Sequence, residues 1–116
     1  MTTNGLNQYL VNIYNEIKQA VAAGGGKIKL VSGRRWYADE NGNKVDKPTV
    51  QDGTLWKYIN AKGDIVWYSS KTSPHNTGDA IDIINGEGTS FEKVVEYILS
   101  DDTILYDMIT NGVYLG

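Results

Sequence analysis

The stretch "SPHNTGDAID", Ser73 to Asp82, contains the one histidine of a 116-residue chain and places an aspartate seven positions after it. A neutral imidazole and a carboxylate are both good Zn²⁺ donors, and zinc asks for about 2.0 to 2.2 Å to each. Two such donors must therefore be held on rigid neighbouring backbone. A loop feeding a strand does this. Gly78 permits a tight bend and Ala80 leaves room for close packing. "AIDII", Ala80 to Ile84, is an apolar run bounded by Gly78 and Gly86; it reads as a buried strand that projects Asp82 beside His75. The competing reading is a solvated loop histidine with an aspartate that caps or pairs locally. The full spacing Ser73-x-His75-x-x-Gly78-x-Ala80-x-Asp82 weighs against it, because five fixed positions arise by chance in on the order of one in ten thousand chains of this size.

Upstream of the motif, Leu6, Leu10, Ile13, Ile17 and Val21 recur at helical spacing, and "GGG" at 24–26 ends that helix. "KIKLVSG" then predicts a short strand with Ile28 and Leu30 on one face, turning at Gly33. The middle of the chain is rich in turn chemistry. "ENGNK" and "QDG" carry Asn-Gly and Asp-Gly pairs, and "NAKGD" separates the aromatic runs "LWKYI" and "IVWY", so one or two hairpins are expected. Trp36, Tyr37, Trp56, Tyr58, Trp67 and Tyr68 fit either cross-strand core pairs or a platform for a sugar or peptide.

Downstream, Thr89 and Glu92 form a capping-box pattern ahead of a helix whose apolar face is Phe91, Val94, Val95, Ile98 and Leu99. Ser100 then offers a cap, with Asp101 and Asp102 at the positive end of a second short helix ended by Asn111-Gly112. "VYLG" reads as the start of a strand. No internal repeat stands out, so residues 1–116 read as one α+β domain, a small antiparallel sheet with flanking helices.

Composition narrows the function classes. A formal charge of -3 gives no general attraction to nucleic acid. Apolar residues make up 41%, with no run long enough to span a bilayer, so no membrane partner is expected. The absence of cysteine excludes disulfides and thiolate metal sites. "MTTNGLNQYL" lacks the basic, apolar and small-residue pattern of a secretory signal.

Ser73, His75, Gly78, Ala80 and Asp82 together resemble the S-x-H-x-x-G-x-A-x-D signature of the zinc D-alanyl-D-alanine carboxypeptidases and dipeptidases. That family includes phage L-alanyl-D-glutamate endolysins and shares its fold with the hedgehog signalling domain. Ser32-Gly33-Arg34-Arg35 after "IKLV" is similar to the family's S-G-aromatic-R strand end, and the order of elements fits over most of the chain. The resemblance implies a hedgehog-like fold and Zn²⁺ bound by His75 and Asp82. It also implies that Arg35 faces the developing oxyanion or a substrate carboxylate, with Ser73 touching the substrate peptide. Arg34 stands where the family usually carries an aromatic residue, and Asp79 where a basic or polar one is common.

The family's third ligand, a later histidine, and its general-base carboxylate have no counterpart here, since His75 is the only histidine. Catalytic zinc normally takes three protein donors and water. Glu96, Asp101 and Asp107 lie on helices or at helix ends, outside any matching motif. Three explanations are open: the front part of a longer peptidase whose final strand begins near "VYLG", a family member retained as a structural or cell-wall-binding module of a phage tail or virion, or a ligand supplied by another chain. The expected function is a zinc peptidase acting on D-amino-acid-containing peptidoglycan stem peptides, at a bacterial cell envelope or in a phage virion. The alternative is the non-catalytic module.

Overall fold

The computed structural model describes residues 3–116 as an α+β chain with small antiparallel sheets and three helices. The elements are α1 (Gln8–Ala23), β1 (Ile28–Ser32), β2 (Trp36–Ala38), β3 (Lys44–Val45), β4 (Gln51–Asp52), β5 (Leu55–Ile59) and β6 (Ile65–Tyr68). A 3₁₀ turn (Pro74–Thr77), β7 (Asp82–Asn85), α2 (Phe91–Leu99) and α3 (Asp102–Thr110) complete them. The chain forms two compact units, one made of residues 3–7 and 30–82, the other of 8–29 and 83–116. No helix among the described residues is long and apolar enough to cross a membrane.

The first unit is a five-stranded antiparallel sheet centred on β5. Strands β4 and β2 pair with β5 on one edge and β6 on the other, while β3 continues from β2. Two of its hairpins are built alike, which corrects the expectation of no internal repeat. Tyr37 pairs with Val45 across one turn and Tyr58 with Val66 across the other. In each turn an Asx side chain closes the loop: Asp39 Oδ1 accepts from the backbone of Asn41 and Asn43, and Asn60 Oδ1 from that of Lys62 and Asp64. In each, glycine takes the left-handed position, Gly42 at φ 80° and Gly63 at φ 87°. The shared pattern is Tyr-x₄-Gly-x₂-Val, too short and too common in composition to stand out before its pairing is known.

The sheet's register places Tyr37 and Tyr58 in cross-strand core packing. Tyr37 lies directly opposite Tyr58, both are buried, and their ring centroids are 5.2 Å apart. Tyr58 also meets Tyr68 at 5.8 Å. The half-buried tryptophans are covered by cations of this chain, Trp36 by Lys44 at 4.0 Å and Trp56 by Lys71 at 5.3 Å. Trp67 and Tyr68 remain exposed.

In the second unit α1 buries Leu10, Ile13, Tyr14, Ile17 and Val21, at the periodicity expected of its sequence. α2 contributes Val94 and Ile98, and α3 contributes Ile104 and Met108. Several downstream expectations are corrected. The cap of α2 is Ser90, whose hydroxyl accepts from Lys93 N; Thr89 is instead buried, with Oγ1 accepting from Lys27 N at 2.8 Å. Once that hydroxyl is bound to a distant backbone donor, the next residue takes the capping role. Phe91 and Leu99 point outward rather than to the core. Ser100 closes α2, and Asp101 caps α3 by accepting from Ile104 N at 3.0 Å. Residues 113–116 form no strand; Val113 N instead donates to Met108 O and ends the helix. β7 starts only at Asp82 and is half exposed, pairing with β1 in a two-stranded sheet, so "AIDII" is not a buried strand.

Candidate functional site

The 3₁₀ turn carries the histidine, and local chemistry explains its shape. Ser73 is its N-cap, accepting from His75 N at 3.3 Å, and Pro74 opens it with φ already set. Gly78 closes it in the left-handed region at φ 79°, donating its N–H to Pro74 O. This glycine has a second constraint, because a Cβ there would lie 2.5 Å from Gly5 O. The segment before α1 presses against it, with Asn7 N donating to Gly78 O at 3.0 Å. Asn7 Nδ2 also donates to Asp79, whose other carboxylate oxygen accepts from Thr77 Oγ1 at 2.6 Å. The acidic residue at the position where the family resemblance falters thus holds the turn to the segment preceding α1.

The sheet positions the approach to the turn. Tyr58 OH donates to Ser70 O, and Tyr37 OH donates to Lys71 O at 2.8 Å. Both phenols belong to the buried ring pair, so residues 70–71 are tied to the core of the unit. Ser73 then lines a shallow open cleft of about 320 Å³ with Thr72, Pro74 and Thr77.

His75 and Asp82 come together. Nε2 of His75 is 3.4 Å from Oδ2 of Asp82, with the imidazole largely buried and the carboxylate 62% exposed. The other ring nitrogen, Nδ1, lies 3.0 Å from the carbonyl oxygen of Gly33. A carbonyl and a carboxylate both only accept, so each ring nitrogen faces an acceptor, and the neutral ring, with one N–H, donates to one of the two. Metal-binding histidines are commonly oriented in this way. The separation fits as well: donors at about 2.05 and 2.1 Å on a tetrahedral ion are about 3.4 Å apart. When the ring is protonated, the same two groups form an ordinary ion pair.

Arg35 is joined to this turn through its backbone, its N–H donating to His75 O at 2.9 Å. Its guanidinium packs over the Tyr68 ring at 4.1 Å and near Tyr58 at 5.7 Å. Arg34 donates from Nε to Asn76 O at 3.2 Å and approaches Asp46 at 3.8 Å. Sequence reading missed Asn76. It is buried at 4% exposure and its Nδ2 donates to Arg35 O at 2.8 Å. Only burial distinguishes it from any other loop asparagine.

Among the described residues no group of three or more His, Cys, Asp or Glu side chains gathers as a metal cluster. The carboxylates considered as substitutes are engaged elsewhere: Glu96 pairs with Lys93 at 3.5 Å, Asp101 caps α3, and Asp107 hydrogen-bonds Glu16. Comparison with protein-family models, with curated proteins and with solved structures finds no match for this chain.

Proposed function

We propose that this chain is a zinc peptidase module of hedgehog-like fold, acting on peptidoglycan stem peptides that contain D-amino acids. The observation that carries the reading is the pair of His75 Nε2 and Asp82 Oδ2 at 3.4 Å, with Nδ1 held on the Gly33 carbonyl. His75 and Asp82 would hold the ion, with a third donor coming from outside the pair. When bound there, zinc supplies Lewis-acid polarisation of a peptide carbonyl. With the ion on Nε2, the Gly33 carbonyl would accept from Nδ1–H and orient the ring, and the Asp82 carboxylate would offset part of the metal's charge. The Arg35 guanidinium serves as the partner of an anionic substrate oxygen. Ser73, on the rim of the neighbouring cleft, serves as a peptide contact. Bacterial cell envelope or phage virion is the setting such a substrate requires.

The exposed aspartate and the two-donor set equally favour a second reading, a non-catalytic module that binds cell-wall peptide in a virion. One experiment separates them. Zinc content and affinity are measured for the full chain, for His75→Ala and for Asp82→Asn, and each protein is incubated with purified stem peptides analysed by mass spectrometry. Zinc at one per chain, lost in both variants and accompanied by zinc-dependent cleavage, supports the peptidase. Tight zinc and peptide binding without cleavage replaces it with the second reading, and zinc retention that ignores both substitutions refutes the site.

A further inference from the structure

We propose that the face of α2 and α3 turned away from α1 docks a partner protein's amphipathic helix, one whose apolar stripe is flanked by lysine or arginine. The three helices touch one another in every pairing. Two contacts mark the side of each that faces α1: Tyr97 OH donates to Gly24 O at 3.4 Å, just past the end of α1, and Asp107 hydrogen-bonds Glu16. At 3.6 residues per turn, α2 then presents Tyr97, Val94, Ile98, Val95, Leu99 and Glu92 in that order around its axis. α3 presents the same order ten positions on: Asp107, Ile104, Met108, Leu105, Ile109 and Asp102.

The apolar arc of each helix is wider than the core it serves. Val94, Ile98, Ile104 and Met108 are buried, whereas Val95 and Leu105, next around each helix, are only half-buried. Beyond them Leu99 is 57% and Ile109 77% exposed, and Phe91, beside Val95, is 64% exposed. Each helix meets α1 with one flank and its neighbour with the middle of its arc, so the far flanks converge on one face opposite α1. Scattered exposed apolar residues are ordinary, but converging ones mark an interaction surface.

Shape and charge decide what covers this face. On its other side the α2–α3 pair already holds a helix, α1, which buries Leu10, Ile13, Ile17 and Val21 at helical spacing. A helix with apolar residues at i, i+3, i+4 and i+7 fits the opposite side in the same manner. The rim sets its charge. The apolar arc ends at Glu92 on α2 and Asp102 on α3, with Glu96 next. α2 and α3 contain a single lysine and no arginine, and that lysine, Lys93, lies beyond Glu96, away from the face, and is paired with it at 3.5 Å. A second copy would set Glu92 and Asp102 against their own equivalents, and an anionic lipid surface would meet the same repulsion; cations flanking an apolar stripe complement the rim. This surface stands independently of the zinc site.

The test uses the full chain and two fluorescein-labelled peptides of about 18 residues with the same helical spacing, one of leucine and lysine, the other of leucine and glutamate. Anisotropy titrations at about 0.05 and 0.3 M salt compare wild type with Leu99→Ser/Ile109→Ser, with Glu92→Gln/Asp102→Asn and with Ile65→Thr, an exposed apolar position of the other unit. Circular dichroism verifies that each variant is folded. The lysine peptide should bind wild type and Ile65→Thr alike, at least about tenfold more tightly than the glutamate peptide, and more weakly at the higher salt. The double serine variant should lose about tenfold or more. The Gln/Asn variant should lose about three- to tenfold and show a smaller salt dependence. Failure of the lysine peptide to bind, no preference for it over the glutamate peptide, or equal affinity for wild type and the serine variant would overturn the proposal. Sedimentation and phosphatidylglycerol vesicles examine the other occupants: a dimer, or vesicle binding, that the serine substitutions abolish would give the face to a second copy or to lipid and likewise overturn it.

Discussion

Gly78→Ala should destabilise the first unit by more than the loss of glycine's conformational freedom, and the excess is calculable from the structure. At φ 79° an alanine pays left-handed strain of about 1 to 2 kcal/mol. The new Cβ would also lie 2.5 Å from Gly5 O and 3.2 Å from Asn7 N. Both are backbone atoms, so no side-chain rotation relieves the overlap and residues 5–7 must move away. That movement stretches the 3.0 Å bond from Asn7 N to Gly78 O, worth about 1 kcal/mol. The expected total is about 3 kcal/mol. Gly63→Ala isolates the conformational term, because Gly63 has φ 87° and a Cβ added there would meet nothing within 4 Å; about 1 to 2 kcal/mol is expected at that position. Urea unfolding followed by tryptophan fluorescence suits the comparison, since Trp36, Trp56 and Trp67 all lie in this unit. Equal losses in the two variants, within about 0.5 kcal/mol, would refute the close-approach reasoning.

Two further outcomes follow from the packing. Tyr58→Phe keeps the buried ring but removes the hydroxyl that donates to Ser70 O, so urea unfolding should show a loss of about 1 kcal/mol and backbone amide exchange near residues 70–73 should quicken; unchanged exchange there would argue against tethering of the loop by the sheet. In the second unit, the hydrogen bond with Asp107, together with burial, raises the Glu16 carboxyl from 4.5 to about 7. The folded chain therefore holds a proton that the unfolded chain has lost between these values, and stability is full below about pH 4.5 and falls as pH rises to about 7. Solvent screening reduces the effect to about 1 kcal/mol. Glu16→Gln, which donates to Asp107 without a titratable proton, should flatten that part of the stability profile, and an unaltered slope would refute the pairing.

Much of this protein was legible in its sequence because the relevant physics is local. The α1 stripe of Leu10, Ile13, Ile17 and Val21 follows from helical periodicity, and the hairpins follow from Asx-Gly turn chemistry. The Ser73–Gly78 turn is likewise local, since Ser, Pro and Gly each meet a requirement within six residues. That spacing also sufficed to nominate His75 and Asp82 as a pair. Tertiary structure decided where two local solutions competed or where partners were distant in the chain. The capping-box pattern points to Thr89, but Lys27 N binds the threonine hydroxyl and Ser90 caps the helix instead. Nothing near His75 in sequence indicates that its ring will meet the carbonyl of Gly33, or that Asn76 will be buried against Arg35. Nor does the pattern of tyrosines reveal that two phenols will hold residues 70–71. Side-chain periodicity and turn propensity report what a segment does with its own neighbours; the orientation of one imidazole depends on a hydrogen bond across 42 residues, which only the folded chain brings to 3.0 Å.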